Sequence, residues 1–141
     1  MIVNGPIATA SFENANKPSE DLIGAQASFI GKVRADSVNK SQVKAIEFTA
    51  QTEIAERVAG EIIEYSKKTF GILKAEIRHS VGIVPVGEPC FMVVVSAKHR
   101  KESFRALEYI VDEVKRQCPI FGKEILNDGN YQWKTSRESI K

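Results

Sequence analysis

Four consecutive residues, Lys98, His99, Arg100 and Lys101, stand where a helix is expected to begin. The positive end of a helix dipole disfavours cations there by roughly 0.3–1 kcal/mol each. Unpaired N–H groups at a helix start already form an anion site, so adding Lys, His and Arg suits phosphate binding. A solvated basic turn would read the same way. At about 100° per residue, Arg100 falls on the stripe of Phe104, Leu107, Val111 and Val114, where a guanidinium needs a partner. Lys115 falls at the opposite edge of that stripe, where its stem can pack and its ammonium can face a cleft. Arg100 and Lys115 lie roughly 22 Å apart along such a helix, too far for one compact anion to touch both. Two copies of the chain about a two-fold axis would bring the start of one helix to the end of the other.

Other chemistry-bearing residues say less. In Gly31, Lys32, Val33 and Arg34, a glycine and two cations follow a strand end and can be aimed into a pocket. His79, at the end of a strand, reads as a satisfied structural imidazole. Cys90 and Cys118 are too few and too far apart for a disulfide framework or a metal clip, and read as packed thiols. No Ser, His and Asp set, Gly-rich phosphate loop or metal-ligand cluster is apparent, so neither a covalent nucleophile nor a metal site is expected.

These residues must be positioned by one compact unit. The 141 residues are 43% hydrophobic and 27% charged, the composition of a globular domain. Twenty Lys and Arg against 18 Asp and Glu leave a net charge of +2, too near neutrality for a general nucleic-acid binder. The longest apolar stretch, Cys90 to Val95, is far short of the roughly 20 residues that span a bilayer. The opening MIVNGPIATASF carries no basic segment followed by an apolar core, so a cytoplasmic location is expected.

Residues 1–21 are polar and weakly patterned and are expected to form a loosely attached arm, with one domain over 22–141. Strands are expected over 25–30 and 43–49. A helix follows from Gln51 or Thr52 to about Phe70, facing the core with Ile54, Val58, Ile62 and Tyr65 and stopped by Gly71. Strands over 72–79 and 90–96 flank turns at 82–89, and a second helix runs from about Arg100 to Gln117, closed by Pro119. Asn127, Asp128, Gly129 and Asn130 then join two short strands in a hairpin. The order predicts an α+β fold: two main helices packed on a mixed or antiparallel sheet, with a small C-terminal hairpin.

Taken together, several segments resemble one family, the large, catalytic subunit of molybdopterin synthase. They are FIGKVR at 29–34, HSVGIVPVGEPCFMVVVSAKHR at 79–100, the helix with Phe104, Ala106, Asp112 and Lys115, PIFGKEILNDG at 119–129, and then Trp133 and Arg137. The resemblance covers about residues 24–138 and implies an α/β-hammerhead-like domain. It implies a sulfurtransferase that converts cyclic pyranopterin monophosphate to its dithiolene. The sulfur comes from the C-terminal thiocarboxylate of a small ubiquitin-like subunit ending in Gly-Gly. No catalytic cysteine, metal or cofactor is then needed. The assembly implied is a homodimer of large subunits within a heterotetramer, with neither nucleic acid nor membrane as a partner.

Carried over by position, Lys32, Arg34, His99, Arg100 and Arg137 would bind substrate, with His99 and Arg100 acting in trans; Lys98, where the family usually has a small residue, would add a further substrate-binding cation. Lys115 would be the central catalytic lysine, moving a proton or stabilising charge, with Lys123 as a second. The departures are specific. Gly122 stands where the family's PIWKKE has a functional lysine, Phe121 replaces the tryptophan, and Ser80 replaces an arginine. Lys123 is one step along an extended segment and should point to the opposite face. The alternative these departures raise is a relative that binds the small subunit or a pterin phosphate without transferring sulfur.

Overall fold

The computed structural model describes residues 1–9 and 21–134. The elements are β1 (Ile2–Asn4), β2 (Ala25–Lys32), β3 (Ser37–Val38), β4 (Ser41–Ala50), α1 (Thr52–Phe70), β5 (Lys74–Pro85), β6 (Pro89–Ala97), α2 (Arg100–Gln117), β7 (Ile120–Leu126) and β8 (Tyr131–Trp133). The strands form one sheet in the order β2-β6-β5-β4-β7-β8, antiparallel throughout that path. This is the expected α+β arrangement of two helices on a largely antiparallel sheet. No helix among the described residues is long and apolar enough to cross a membrane.

β5 joins two halves of the sheet. Lys74–His79 pair with β6, whereas Gly82–Pro85 pair with β4. Gly82 sits between them at φ 82°, a backbone state that glycine adopts without a steric penalty. The two halves have separate cores. Both helices pack on β2, β6 and the first part of β5 around Ala59, Ile62, Val93, Val95, Ile110 and Val114. Val33, Val43, Ile46, Phe48, Val84 and Leu126 form the smaller second core.

The helix limits agree with the sequence reading, but the buried faces differ. α1 buries Ala55, Ala59, Ile62 and Ser66 and leaves Ile54 and Tyr65 exposed. α2 buries Ser103, Ala106, Ile110 and Val114, while Phe104 is 61% exposed. Small residues let helix and sheet backbones approach closely, so the core takes the Ala and Ser stripe over the one with the largest side chains. Arg100 consequently lies on an exposed stretch, and the inference that it needs a partner within its own chain falls away.

The expected loose arm is also corrected for its first residues. β1 pairs in parallel with His79–Val81, Ser80 Oγ donates to the Gly5 carbonyl at 2.7 Å, and Ile7 is buried. A three-residue strand is too short to show a period, which is why it was not legible. Residues 10–20 lie outside the described part. At the other end of β6, Gly24 N–H donates to the Ala97 carbonyl at 3.0 Å, and a Cβ on Gly24 would collide with the Lys98 carbonyl oxygen. That close approach fixes the corner from which α2 starts.

Candidate functional site

α2 ends at Gln117 because Cys118 is extended and Pro119 cannot continue the helix. The chain therefore turns at once into β7. The turn places Lys115, Arg116 and Gln117 on one wall of a cleft of about 420 Å³, with Ile120, Phe121 and Gly122 close by. Phe29, Phe48, His79, Cys90 and Phe91 come from the sheet, Lys32 from the end of β2, and Lys134 from just beyond β8. A break in register between Gly31 and Lys32 re-aims the end of β2 where it meets β6.

Four cations, Lys32, Lys115, Arg116 and Lys134, line this cleft, and no carboxylate does so among the described residues. Arg116 is already held by Glu113, with contacts of 2.6 and 3.1 Å. The ammonium groups of the three lysines have no hydrogen bond or ion pair among the described residues. Elsewhere on the chain Arg34, Arg57, Lys67 and Lys123 each face a carboxylate. A cleft with several uncompensated cations is one that an anion would neutralise.

His79 lies between the rings of Phe48 and Phe91, with centroids 5.1 and 5.2 Å away. Burial lowers its pKa to about 4, and the charges of Lys115 and Lys134 act in the same direction. Its Nδ1 is 2.9 Å from the Ser80 carbonyl. A carbonyl can only accept, so the single proton of the neutral ring sits on Nδ1 and Nε2 is left as an acceptor. The thiols are poor nucleophiles. Burial raises the pKa of Cys90, and that of Cys118 to about 11, disfavouring the thiolate in both.

Of the residues expected from sequence, Lys32 and Lys115 meet in the cleft. Arg34 is 72% exposed outside it and pairs with Asp36 at 3.3 Å. Lys98, His99 and Arg100 are exposed at the far end of α2, with His99 3.3 Å from Glu102. Lys123, expected as a second catalytic lysine, does not line this cleft. It contacts Glu47 at 3.2 Å and lies over the rings of Tyr131 and Trp133, at 4.7 and 5.9 Å. Successive residues of a strand face opposite ways, so Lys123 points away from Gly122 and shares the outer face with Phe121, which also borders the cleft. Arg137 lies outside the described residues.

Two cleft residues were not picked out by the sequence reading. His79 was assigned a structural role only, and Lys134 was given none. The signal for Lys134 was the hairpin register: Lys123 pairs with Trp133, so Lys134 falls beside Gly122. Its backbone N–H donates to the Gly122 carbonyl at 2.7 Å.

The fold and cleft define an α+β domain with a cation-lined cleft, whose two cysteines, Cys90 and Cys118, are held toward the thiol form by burial. The family comparison gives that class a more definite place. Residues 2–117 match the MoaE protein family, and the chain belongs to it. It is 37% identical over 110 residues to the molybdopterin synthase catalytic subunit of Thermoplasma volcanium, covering 78% of this chain and 80% of that one. The catalytic subunit of Pyrococcus abyssi is also 37% identical, over 113 residues, covering 80% of this chain and 76% of that one. The crystal structure of molybdopterin synthase from Staphylococcus aureus superimposes with a TM-score of 0.83 at 27% identity, covering 95% of both chains.

Proposed function

We propose that this chain acts as the catalytic subunit of molybdopterin synthase and that the lysine-lined cleft takes cyclic pyranopterin monophosphate. The observation that carries this reading is a cleft whose three lysines are unpaired and meet no carboxylate among the described residues, and whose thiols burial disfavours as thiolates. The substrate is a phosphate anion, and its sulfur arrives on a partner's C-terminal thiocarboxylate. Lys115 stabilises charge, or moves a proton, as that sulfur attacks and the cyclic phosphate opens. Because the sulfur comes already activated, the reading calls for neither a resident metal nor a redox cofactor, and turnover should survive EDTA.

The partner is a small ubiquitin-like subunit whose Gly-Gly tail is narrow enough to enter the cleft. A second copy of this chain supplies Lys98, His99 and Arg100, which one chain holds about 22 Å from Lys115 along α2. The outer face of the β4–β7–β8 half supports further contacts. Ile83, Phe121, Tyr131 and Trp133 are all more than half exposed there, around the Lys123–Glu47 pair. The reaction is placed in the cytoplasm, where the free Cys90 and Cys118 would stay reduced.

A single-turnover assay tests this: purified chain, thiocarboxylated small subunit and cyclic pyranopterin monophosphate, with detection of the dithiolene pterin. Product supports sulfur transfer. Gly122 favours one alternative, a binding-only relative, which stable partner binding without product would select.

A further inference from the structure

We infer that Lys134 is a second anion-binding residue of the cleft, lining it together with Lys115 and holding the substrate's phosphate from beside Gly122. The inference rests on the proposed function for the identity of the anion. Its geometric basis is independent of that reading.

Lys115 and Lys134 belong to different elements, one to the last turn of α2 and the other to the segment leaving β8. Both line the cleft, and the charges of both bear on the same two groups, His79 and Cys90. Two ammonium groups lining one cleft repel each other. The described residues provide no carboxylate in the cleft to offset this, so a bound anion would. The position of Lys134 is also well fixed, because its N–H to the Gly122 carbonyl extends the β7–β8 pairing by one residue.

Gly122 explains why the cation comes from the neighbouring strand. A Cβ at this position would lie 3.1 Å from Ile46 Cγ2 and 3.3 Å from the Phe48 ring. That space is taken by Ile46 of the second core and by Phe48, so position 122 contributes only backbone to the cleft. Lys123, next in sequence, is engaged with Glu47 on the opposite face. Lys134 is the one remaining lysine of this hairpin among the described residues.

The test compares wild type, Lys134→Gln and Lys134→Arg for binding of cyclic pyranopterin monophosphate and for single-turnover rate. The small subunit is present in both measurements. Thermal unfolding of each variant checks the fold. The expectation is binding weakened about tenfold or more in Lys134→Gln, as for loss of one charge-assisted contact, and largely restored in Lys134→Arg. The effect should shrink as salt rises. In Lys134→Gln the His79 imidazole, followed by NMR, should also titrate at higher pH, since one of the cations opposing its protonation is gone.

If wild type binds and turns over substrate while Lys134→Gln matches it within about twofold, this inference is wrong and the proposed function stands. An unmoved His79 titration would equally remove the convergence on which it is built. If wild type neither binds nor converts the substrate, the functional reading itself fails and takes this assignment with it.

Discussion

The two ends of α2 carry cations in opposite circumstances. At its start, Lys98, His99 and Arg100 are exposed and do not line the cleft at the other end. At its end, Lys115 lines a cleft with Lys32 and Lys134, over a floor of aromatic rings and a neutral imidazole. Under the proposed function a phosphate would find cations at both ends, and the second end would also place it in a cleft beside other groups. The first end is therefore an incomplete site. It has the charge, and the helix N–H groups that suit an anion, but its side chains are exposed. In a two-fold dimer the cleft would come from the partner's second end.

Loss of Lys115 should have the largest effect. Lys115→Ala is expected to lower single-turnover rate by about a thousandfold, within the range usual for a positioned proton-transfer or charge-stabilising group. Folding and small-subunit binding should be retained, because its ammonium has no protein partner among the described residues to lose. A loss of less than about tenfold would move the chemistry away from this end of the helix.

The comparison predicts an intermediate effect at the other end. Arg100→Ala should reduce turnover by tens of fold through weaker phosphate binding. The sharper measurement mixes this variant with Lys115→Ala. If the two ends meet across a two-fold axis, each mixed dimer contains one intact site and one doubly defective site, and random exchange of subunits returns about a quarter of wild-type activity. If both ends serve a single chain, mixing returns nothing beyond the sum of the two variants.

Much of this helix was legible in the sequence. Its limits fall at Arg100 and Gln117 as read, because a basic run opens it and Pro119 closes it. Its buried face was not, since a count of large apolar residues selects Phe104, whereas close packing selects Ser103 and Ala106. The same error misphased α1. β1 escaped because three residues show no period and its partner is the bend of β5. Lys115 was found through its place on a helix, where spacing determines direction. Lys134 was missed because its place depends on strand register, which the loop at 127–130 suggests but does not number. Local spacing thus revealed one end of the site, while tertiary pairing was needed for the other wall.

The cleft also predicts an acid sensitivity. His79 has a folded pKa of about 4 against 6.5 when unfolded, so between those values the unfolded chain binds more protons. The stability it contributes is full above pH 6.5 and is lost as pH falls toward 4, at most about 3 kcal/mol in all. Urea unfolding of wild type and His79→Phe at pH 7.5 and 4.5 measures it: the variant should lose less stability on acidification. Equal losses would show that His79 is not held neutral by its setting, and would weaken the contrast between this cleft and the open helix start.

The smallest expected effect lies one residue from the cleft. Lys123 follows Gly122, yet the alternation of β7 turns it to the outer face, where Glu47, Tyr131 and Trp133 surround it. Lys123→Ala should cost at most about 1 kcal/mol, as for a partly exposed ion pair with some cation–π contact. Turnover at saturating small subunit should stay within about twofold of wild type, since the side chain does not line the cleft. Because Ile83, Phe121, Tyr131 and Trp133 make this face apolar, affinity for a second protein is the property to measure alongside. A large loss of turnover with partner affinity intact would mean that β7 presents Lys123 to the substrate. The separation of the strand's two faces, and with it the assignment of Lys134, would then have to be redrawn.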